Sequence, residues 1–167
     1  MTNVIVAGAA GRMGCRLVAL IKDSNVLTLA GALEGKGHGA LGADAGETAG
    51  CGRADVSITD DLAALLARGE VVVDFSSPEA TLHHLRTVAQ HRRAMVIGTT
   101  GFSPSQLEEL KLLVSQVPCV MSPNMSVGVN LIYKVISEMA KTLGDEYDIE
   151  VIEAHHRRDL RRADAGA

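Results

Sequence analysis

The chain has 167 residues, 47% of them hydrophobic and 22% charged, with a net charge of −4 at pH 7. That composition suits one packed domain with a small appendage, and the acidic balance argues against a nucleic-acid surface. No run of about 18 apolar residues is present to span a membrane, and three widely spaced cysteines (Cys15, Cys51, Cys119) without a Cys-x-x-Cys fit a reduced cytosolic protein better than a disulfide or metal framework.

Trp is absent and aromatics make up 2%, so the core must be built from Val, Leu, Ile, Ala and Met. The opening "MTNVIVAGAAG" lacks a basic start and a long apolar run, so no signal peptide is expected. Asn3–Ala7 reads as a buried strand, Arg12–Lys22 as a helix with Met13, Leu17, Val18 and Ile21 at helical spacing, and Leu27–Glu34 as a second strand. Residues 31–52 carry eight glycines and read as a mobile loop. "DDLAALLARG" is a short helix and Glu70–Phe75 a strongly apolar strand. Ser77 then caps a helix with Pro78 at its first position. "AMVIG" is a strand, "SPSQLEELKLLVSQ" a helix opened by a Ser103/Gln106 capping box, and Cys119–Met121 a further strand.

This alternation predicts an α/β fold with a Rossmann-type, doubly wound parallel sheet. From Val127 the pattern changes to a long helix, with Leu131, Val135 and Met139 on one stripe, and then to an alternating strand, Tyr147–Ala154. Residues 125–130 read as a hinge between a domain spanning 1–126 and the first helix and strand of an incomplete α+β domain spanning 127–167. That second segment is expected to dock loosely or to pair between chains, because its strand has no sheet of its own.

The turn "VAGAAGRMG" places Gly8, Gly11 and Gly14 between a strand and a helix. Gly8 permits the tight turn, Gly11 lets the backbone approach a pyrophosphate, and Gly14 lets helix and strand pack, while the helix N-terminus offers free N–H groups. Glycines that merely shape a packing turn are the alternative. Glu34, ending the next strand, is placed to accept from both hydroxyls of an adenine ribose, which favours NADH over NADPH. Lys36 would soften that preference, and Glu34 could instead be an ordinary strand-end acid. Arg12 is in reach of a phosphate unless it is simply solvated. The loops "DFSSPE", "GTTGFS" and "SPNMSVG" leave strands at the same edge. There Thr99, Thr100, Ser122 and Asn124 supply groups suited to a nicotinamide ring and ribose, though "GTTG" taken alone is also an ordinary turn.

"GAAGRMG", "VVVDFSSPEAT", "VIGTTGF", "SPNMSVGVNL" and "IEAHH" occur in this order in dihydrodipicolinate reductases, the 4-hydroxy-tetrahydrodipicolinate reductases of lysine biosynthesis, and the chain resembles that family over residues 2–157. The resemblance implies an N-terminal domain that binds NADH or NADPH. It also implies a C-terminal domain that binds a cyclic dicarboxylate and builds a homotetramer. Carried over by motif, Gly8, Ala9, Ala10, Gly11, Arg12 and Met13 match the pyrophosphate turn, and Glu34 the ribose acid. Gly98, Thr99 and Thr100, with Ser122, Pro123, Asn124 and Met125, match the nicotinamide-side loops. His155 matches the proton donor and His156 a substrate-carboxylate contact. Many members carry an arginine after the ribose acid; this chain has Gly35.

The family continues "EAHHRHKxDAPSGT", whereas here the match stops after Arg157: Arg158 stands where the family has histidine and Asp159 where it has the catalytic lysine. Residues 158–167 read as the product of a shifted reading frame. A second histidine pair, His83 and His84, lies on a helix and reads as solvated, so two adjacent histidines mean little alone. Two functions are compatible with these residues: a lysine-pathway reductase, and a nucleotide-binding module without turnover. A generic dehydrogenase or redox sensor is disfavoured because the match extends into every loop.

Overall fold

Val4 to Ala7 are all buried, so the first strand must be covered on both faces, the situation of a central strand in a parallel sheet. The computed structural model, which describes residues 1–150 and 152, shows this arrangement. In chain order the elements are β1 (Thr2–Ala7), α1 (Arg12–Lys22), β2 (Leu27–Leu33), α2 (Ala45–Thr48), β3 (Ile58–Thr59), α3 (Leu62–Leu66) and β4 (Val71–Asp74). Then come α4 (Pro78–Gln90), β5 (Ala94–Ile97), α5 (Pro104–Val114), β6 (Cys119–Met121), α6 (Val127–Leu143) and a 3-10 turn at Gly144–Glu146. The six strands form one parallel sheet in the order β3-β2-β1-β4-β5-β6. Strand order reverses direction between β1 and β4, and ligands of such sheets bind outside the strand C-termini at that point.

The two-residue period of β1 divides the core. Val4 and Val6 face one side and pack with Val18 and Ile21 of α1 and Ala45 of α2. Ile5 and Ala7 face the other and pack with Leu62, Leu65 and Leu66 of α3, Leu82, Leu85 and Val88 of α4, and Leu110 of α5. Helices α4 and α5 start where the sequence signals place them. Ser77 Oγ accepts from the Ala80 N–H at 3.4 Å, and Ser103 and Gln106 exchange bonds of 3.3 and 2.8 Å in a capping box.

The chain divides into a unit of Met1–Met121 and a second beginning at Ser122. Within the second, Ser126 Oγ caps α6 by accepting from Val129 N–H at 3.3 Å, and Gly144 ends the helix at φ 70°. Leu131, Val135 and Met139, the stripe expected from the sequence, are exposed, and no residue of α6 is buried. Among the described residues no helix is long and apolar enough to cross a membrane.

Two expectations change here. The glycine-rich stretch is not a featureless loop. Asp44 Oδ1 accepts from the backbone N–H groups of Gly46, Glu47 and Ala54 at 2.9, 3.0 and 2.9 Å, and Oδ2 from Val56 at 3.3 Å. One carboxylate thereby folds residues 44–56 back on themselves, buries Ala45 and leads into β3, a two-residue strand that no apolar run announces. Tyr147–Glu150, expected to open a strand, pair with no strand among the described residues; the rest of that span lies outside them, apart from Ile152.

The N–H donors, Ala54 foremost, hold the Asp44 carboxyl below the usual carboxylate range, against the smaller opposing effect of burial. A carboxyl depressed on folding stabilises the native state fully above its unfolded value of about 3.9, and that contribution disappears as pH falls through the lower folded value. Asp44→Asn is therefore expected to lower the urea midpoint at pH 7. The gap from the wild-type chain should narrow as the pH falls below about 4. A gap that does not change with pH would show that the charge is not what holds the loop.

Candidate functional site

The C-terminal ends of β1, β2, β4 and β5 bring four loops to one edge of the sheet. The first begins at Gly8, whose φ of +72° belongs to the left-handed region that glycine occupies without strain. The Gly8 and Ala9 N–H groups both donate to the Leu33 carbonyl, at 3.0 and 3.1 Å, which ties the turn to the end of β2. The Gly11 N–H donates back to Gly8 O at 3.0 Å and closes the turn. A Cβ on Gly14 would stand 2.0 Å from Gly8 O, so α1 approaches the turn more closely than any side chain allows.

The N-terminus of α1 is unlike the others. Asp44, Asp61, Ser77, Ser103 and Ser126 each cap their helix with a side-chain oxygen. Gly11, at the N-cap of α1, has no side chain to do so. The first-turn N–H groups at Arg12 and Met13 are thus left at the mouth of the glycine turn, where the positive end of the helix dipole favours an anion. Arg12 is exposed beside them.

Glu34 lies directly across from this turn. Its Oε1 accepts from the Ala10 N–H at 2.8 Å and its Oε2 from the Gly35 N–H at 3.2 Å. Next to it a hollow of about 670 Å³ is lined by Glu34, Lys36, Asp61, His83, His84 and Thr87, among others. A glycine cradle, an uncapped helix start and an acid at the end of β2 are what a dinucleotide's pyrophosphate and ribose require, and the residues present fit such a group.

At the β4 and β5 exits the structure shows groups that the sequence reading passed over. Asp74, the last residue of β4, is fully buried. Its Oδ1 accepts from Ser76 N–H at 2.8 Å and from Ser76 Oγ at 2.5 Å, and its Oδ2 faces His84 Nδ1 at 2.7 Å. Ser76 Oγ is 3.5 Å from Thr81 Oγ1, which donates to Thr99 Oγ1 at 2.8 Å. A continuous polar chain therefore runs from the hollow beside Glu34 to the turn after β5. Burial would push the Asp74 carboxyl up, but the His84 ring and the two Ser76 donors outweigh it and hold the group below its usual range.

His84 is accordingly not a solvated residue. Its side chain is 13% exposed and bonded to a buried carboxylate, while His83, one position before it, is exposed. The signal was available: Thr81, Leu85 and Val88 mark the buried face of α4, and His84, three residues past Thr81, falls on its border.

The residues expected from the sequence separate into three groups. Gly8, Ala9, Ala10, Gly11, Arg12 and Met13 share one turn with Glu34 opposite. Gly98, Thr99 and Thr100 follow β5, with Gly98 N–H donating to Asp74 O at 2.9 Å and Thr99 buried. Ser122, Pro123, Asn124 and Met125 belong to the second unit. There Ser122 Oγ and Asn130 Nδ2 both donate to the Asn124 carbonyl, at 2.6 and 2.7 Å, and Asn124 Oδ1 accepts from Ser126 N–H at 2.8 Å. This web fixes the loop to the start of α6. His155 and His156 lie outside the described residues.

Comparison with known proteins agrees with this fold. Residues 2–125 match the model of the family described as dihydrodipicolinate reductase, N-terminus. The 4-hydroxy-tetrahydrodipicolinate reductase of Syntrophus aciditrophicus is 43% identical over 157 residues, which is 94% of this chain and 59% of that protein. That of Geobacter sulfurreducens is 44% identical over 158 residues, 95% of this chain and 59% of that protein. Among solved structures, the dipicolinate-bound dihydrodipicolinate reductase from Paenisporosarcina sp. TG-14 superposes with a TM-score of 0.65 at 26% identity, covering 83% of this chain and 53% of that one. A myo-inositol dehydrogenase of Sinorhizobium meliloti, described as putative, shares the fold at a TM-score of 0.59 and 14% identity. The chain thus spans less than two thirds of the length of the reductases it matches, and it belongs to the dihydrodipicolinate reductase family.

Proposed function

We propose that residues 1–126 are the dinucleotide-binding domain of an NAD(P)H-dependent 4-hydroxy-tetrahydrodipicolinate reductase, a cytoplasmic enzyme of the diaminopimelate and lysine pathway. The uncapped start of α1 behind the Gly8–Gly14 turn carries the reading. The turn of Gly8, Ala9 and Gly11 lets the pyrophosphate approach, and the N–H groups of Arg12 and Met13, joined by that of Ala10 once Glu34 releases it, bind it. Glu34 gives up its bond to Ala10 to accept from the ribose hydroxyls, and with Gly35 behind it rather than a cation the site favours NADH over NADPH. Gly98, Thr99, Thr100 and the Ser122–Met125 loop orient the nicotinamide side. When bound, the reduced nucleotide supplies the hydride for the ring of a cyclic dicarboxylate. His155 delivers the proton and His156 holds a substrate carboxylate, in the homotetramer that the resemblance implies.

A second reading is favoured by where the motif match ends. Every group assigned to the dinucleotide lies at or before Met125, whereas the Pro-Ser-Gly-Thr turn that grips substrate in the family has no counterpart after Arg157. In that reading the chain binds NAD(P)H without turning substrate over.

Titration calorimetry of the chain with NADH and NADPH is expected to give saturable binding, tighter for NADH, and Glu34→Ala should narrow the difference. A folded chain that gives no heat with any nicotinamide nucleotide ends both readings. Gly14→Ala should lower Tm, because overpacking of this kind costs about 1–3 kcal/mol of stability, and it should weaken nucleotide binding by displacing the Gly8 carbonyl and the start of α1. Unchanged affinity in that variant would remove the close approach from the argument. NADH oxidation with freshly made dihydrodipicolinate separates the two readings: turnover supports the reductase, and binding without turnover the module.

A further inference from the structure

The hollow beside Glu34 is where the base of a dinucleotide would lie once Glu34 holds the ribose, so any role for it rests on the proposed nucleotide binding. The wall of that hollow contains His84, and the polar partners of His84 fix which of its nitrogens carries the proton. Ser76 satisfies Asp74 Oδ1 twice, through its N–H at 2.8 Å and its Oγ at 2.5 Å. Oδ2 is left for the imidazole, 2.7 Å from Nδ1. An ionised carboxylate can only accept, so Nδ1 must donate; a neutral ring with its proton on Nδ1 carries an acceptor at Nε2. Because His84 lines the hollow while Nδ1 is engaged with the buried acid, Nε2 is the nitrogen left for a ligand.

We propose that His84, oriented by Asp74, selects the base: its Nε2 accepts a hydrogen bond from the exocyclic amino group of adenine. A 6-oxo purine in the same place would set its carbonyl lone pairs against the Nε2 lone pair, and neither group could be satisfied. Asp74 is then a positioning residue that acts through His84. In Asp74→Asn, the two Ser76 donors keep the amide oxygen at the Oδ1 position and place the NH₂ at Oδ2. There it donates to Nδ1, moves the ring proton to Nε2 and turns the acceptor into a donor. The base preference should reverse, a change that loss of packing would not produce.

The test is the affinity of the chain for NADH and for its deaminated analogue, nicotinamide hypoxanthine dinucleotide, by calorimetry at about pH 9, well above the range in which a free imidazole titrates. The wild-type chain is expected to bind NADH about tenfold tighter, the equivalent of one mismatched hydrogen bond. His84→Ala should bring the two to within about twofold, and Asp74→Asn should favour the hypoxanthine form. Where Asp74→Asn does not fold, His84→Ala, at a half-buried site on the helix, decides alone. Equal binding of both nucleotides by the wild-type chain, or an adenine preference that survives His84→Ala, overturns the assignment and leaves the dinucleotide site standing. Failure of both nucleotides to bind overturns the site and the assignment together.

Discussion

The ligand edge depends on a backbone contact too close for a side chain. With only a hydrogen on Gly14, the first turn of α1 lies against the Gly8 carbonyl. The turn is held from two further directions, by Leu33 O, which accepts from Gly8 and Ala9, and by Val18 and Ile21, which anchor α1 on Val4 and Val6. Both faces of β1 are packed, so neither strand nor helix can shift to relieve a larger residue. The uncapped N–H groups are thus fixed in direction before any anion arrives, and binding need not pay to order them.

A second constraint lies beneath the β4 and β5 loops. An ionised carboxylate as buried as Asp74 would cost several kcal/mol without partners. Here Ser76 and His84 supply three donors, and the chain continues through Thr81 to Thr99. Among the described residues no buried side-chain nitrogen or oxygen lacks a partner. A satisfied network of this kind has essentially one arrangement, so the position of Thr99 and the orientation of His84 are set together. The hollow near Glu34 and the turn after β5 are physically joined by it.

Much of this was legible in the sequence, because the signals were local. Gly8, Gly11 and Gly14, the Ser77–Pro78 and Ser103–Gln106 helix starts, and the β-branched runs each report on a few consecutive residues, and the elements form where those signals lie. What the sequence hid was organised by contacts at longer range. Residues 31–52 look unstructured from their glycines, yet Asp44 orders the neighbouring segment by reaching Ala54 and Val56, ten and twelve residues away. β3 exists because Ala32 and Leu33 offer it an edge. His84 looked solvated because its neighbour is; the two differ by one position on a helix, about 100° of rotation, which carries one to solvent and the other to Asp74.

Under the proposed function, the division of the chain also separates most of the binding from the chemistry. The groups proposed to meet phosphate, ribose and base follow β1 and β2 or lie on α4, all in the Met1–Met121 unit and braced by the sheet and its two cores. The Ser122–Met125 loop is braced instead by Asn130 and Ser126, from its own helix. In that proposal, the phosphate, ribose and base contacts of a dinucleotide are complete within the Met1–Met121 unit, and the nicotinamide end alone draws on Ser122–Met125. Transfer to a substrate adds a requirement of a different kind: a second set of groups must be held against the same nicotinamide. A general acid acts only at hydrogen-bond distance from the atom it protonates. On the same proposal, substitutions along the polar chain from His84 to Thr99 act on the first requirement and those at His155 and His156 on the second, so the two can fail independently.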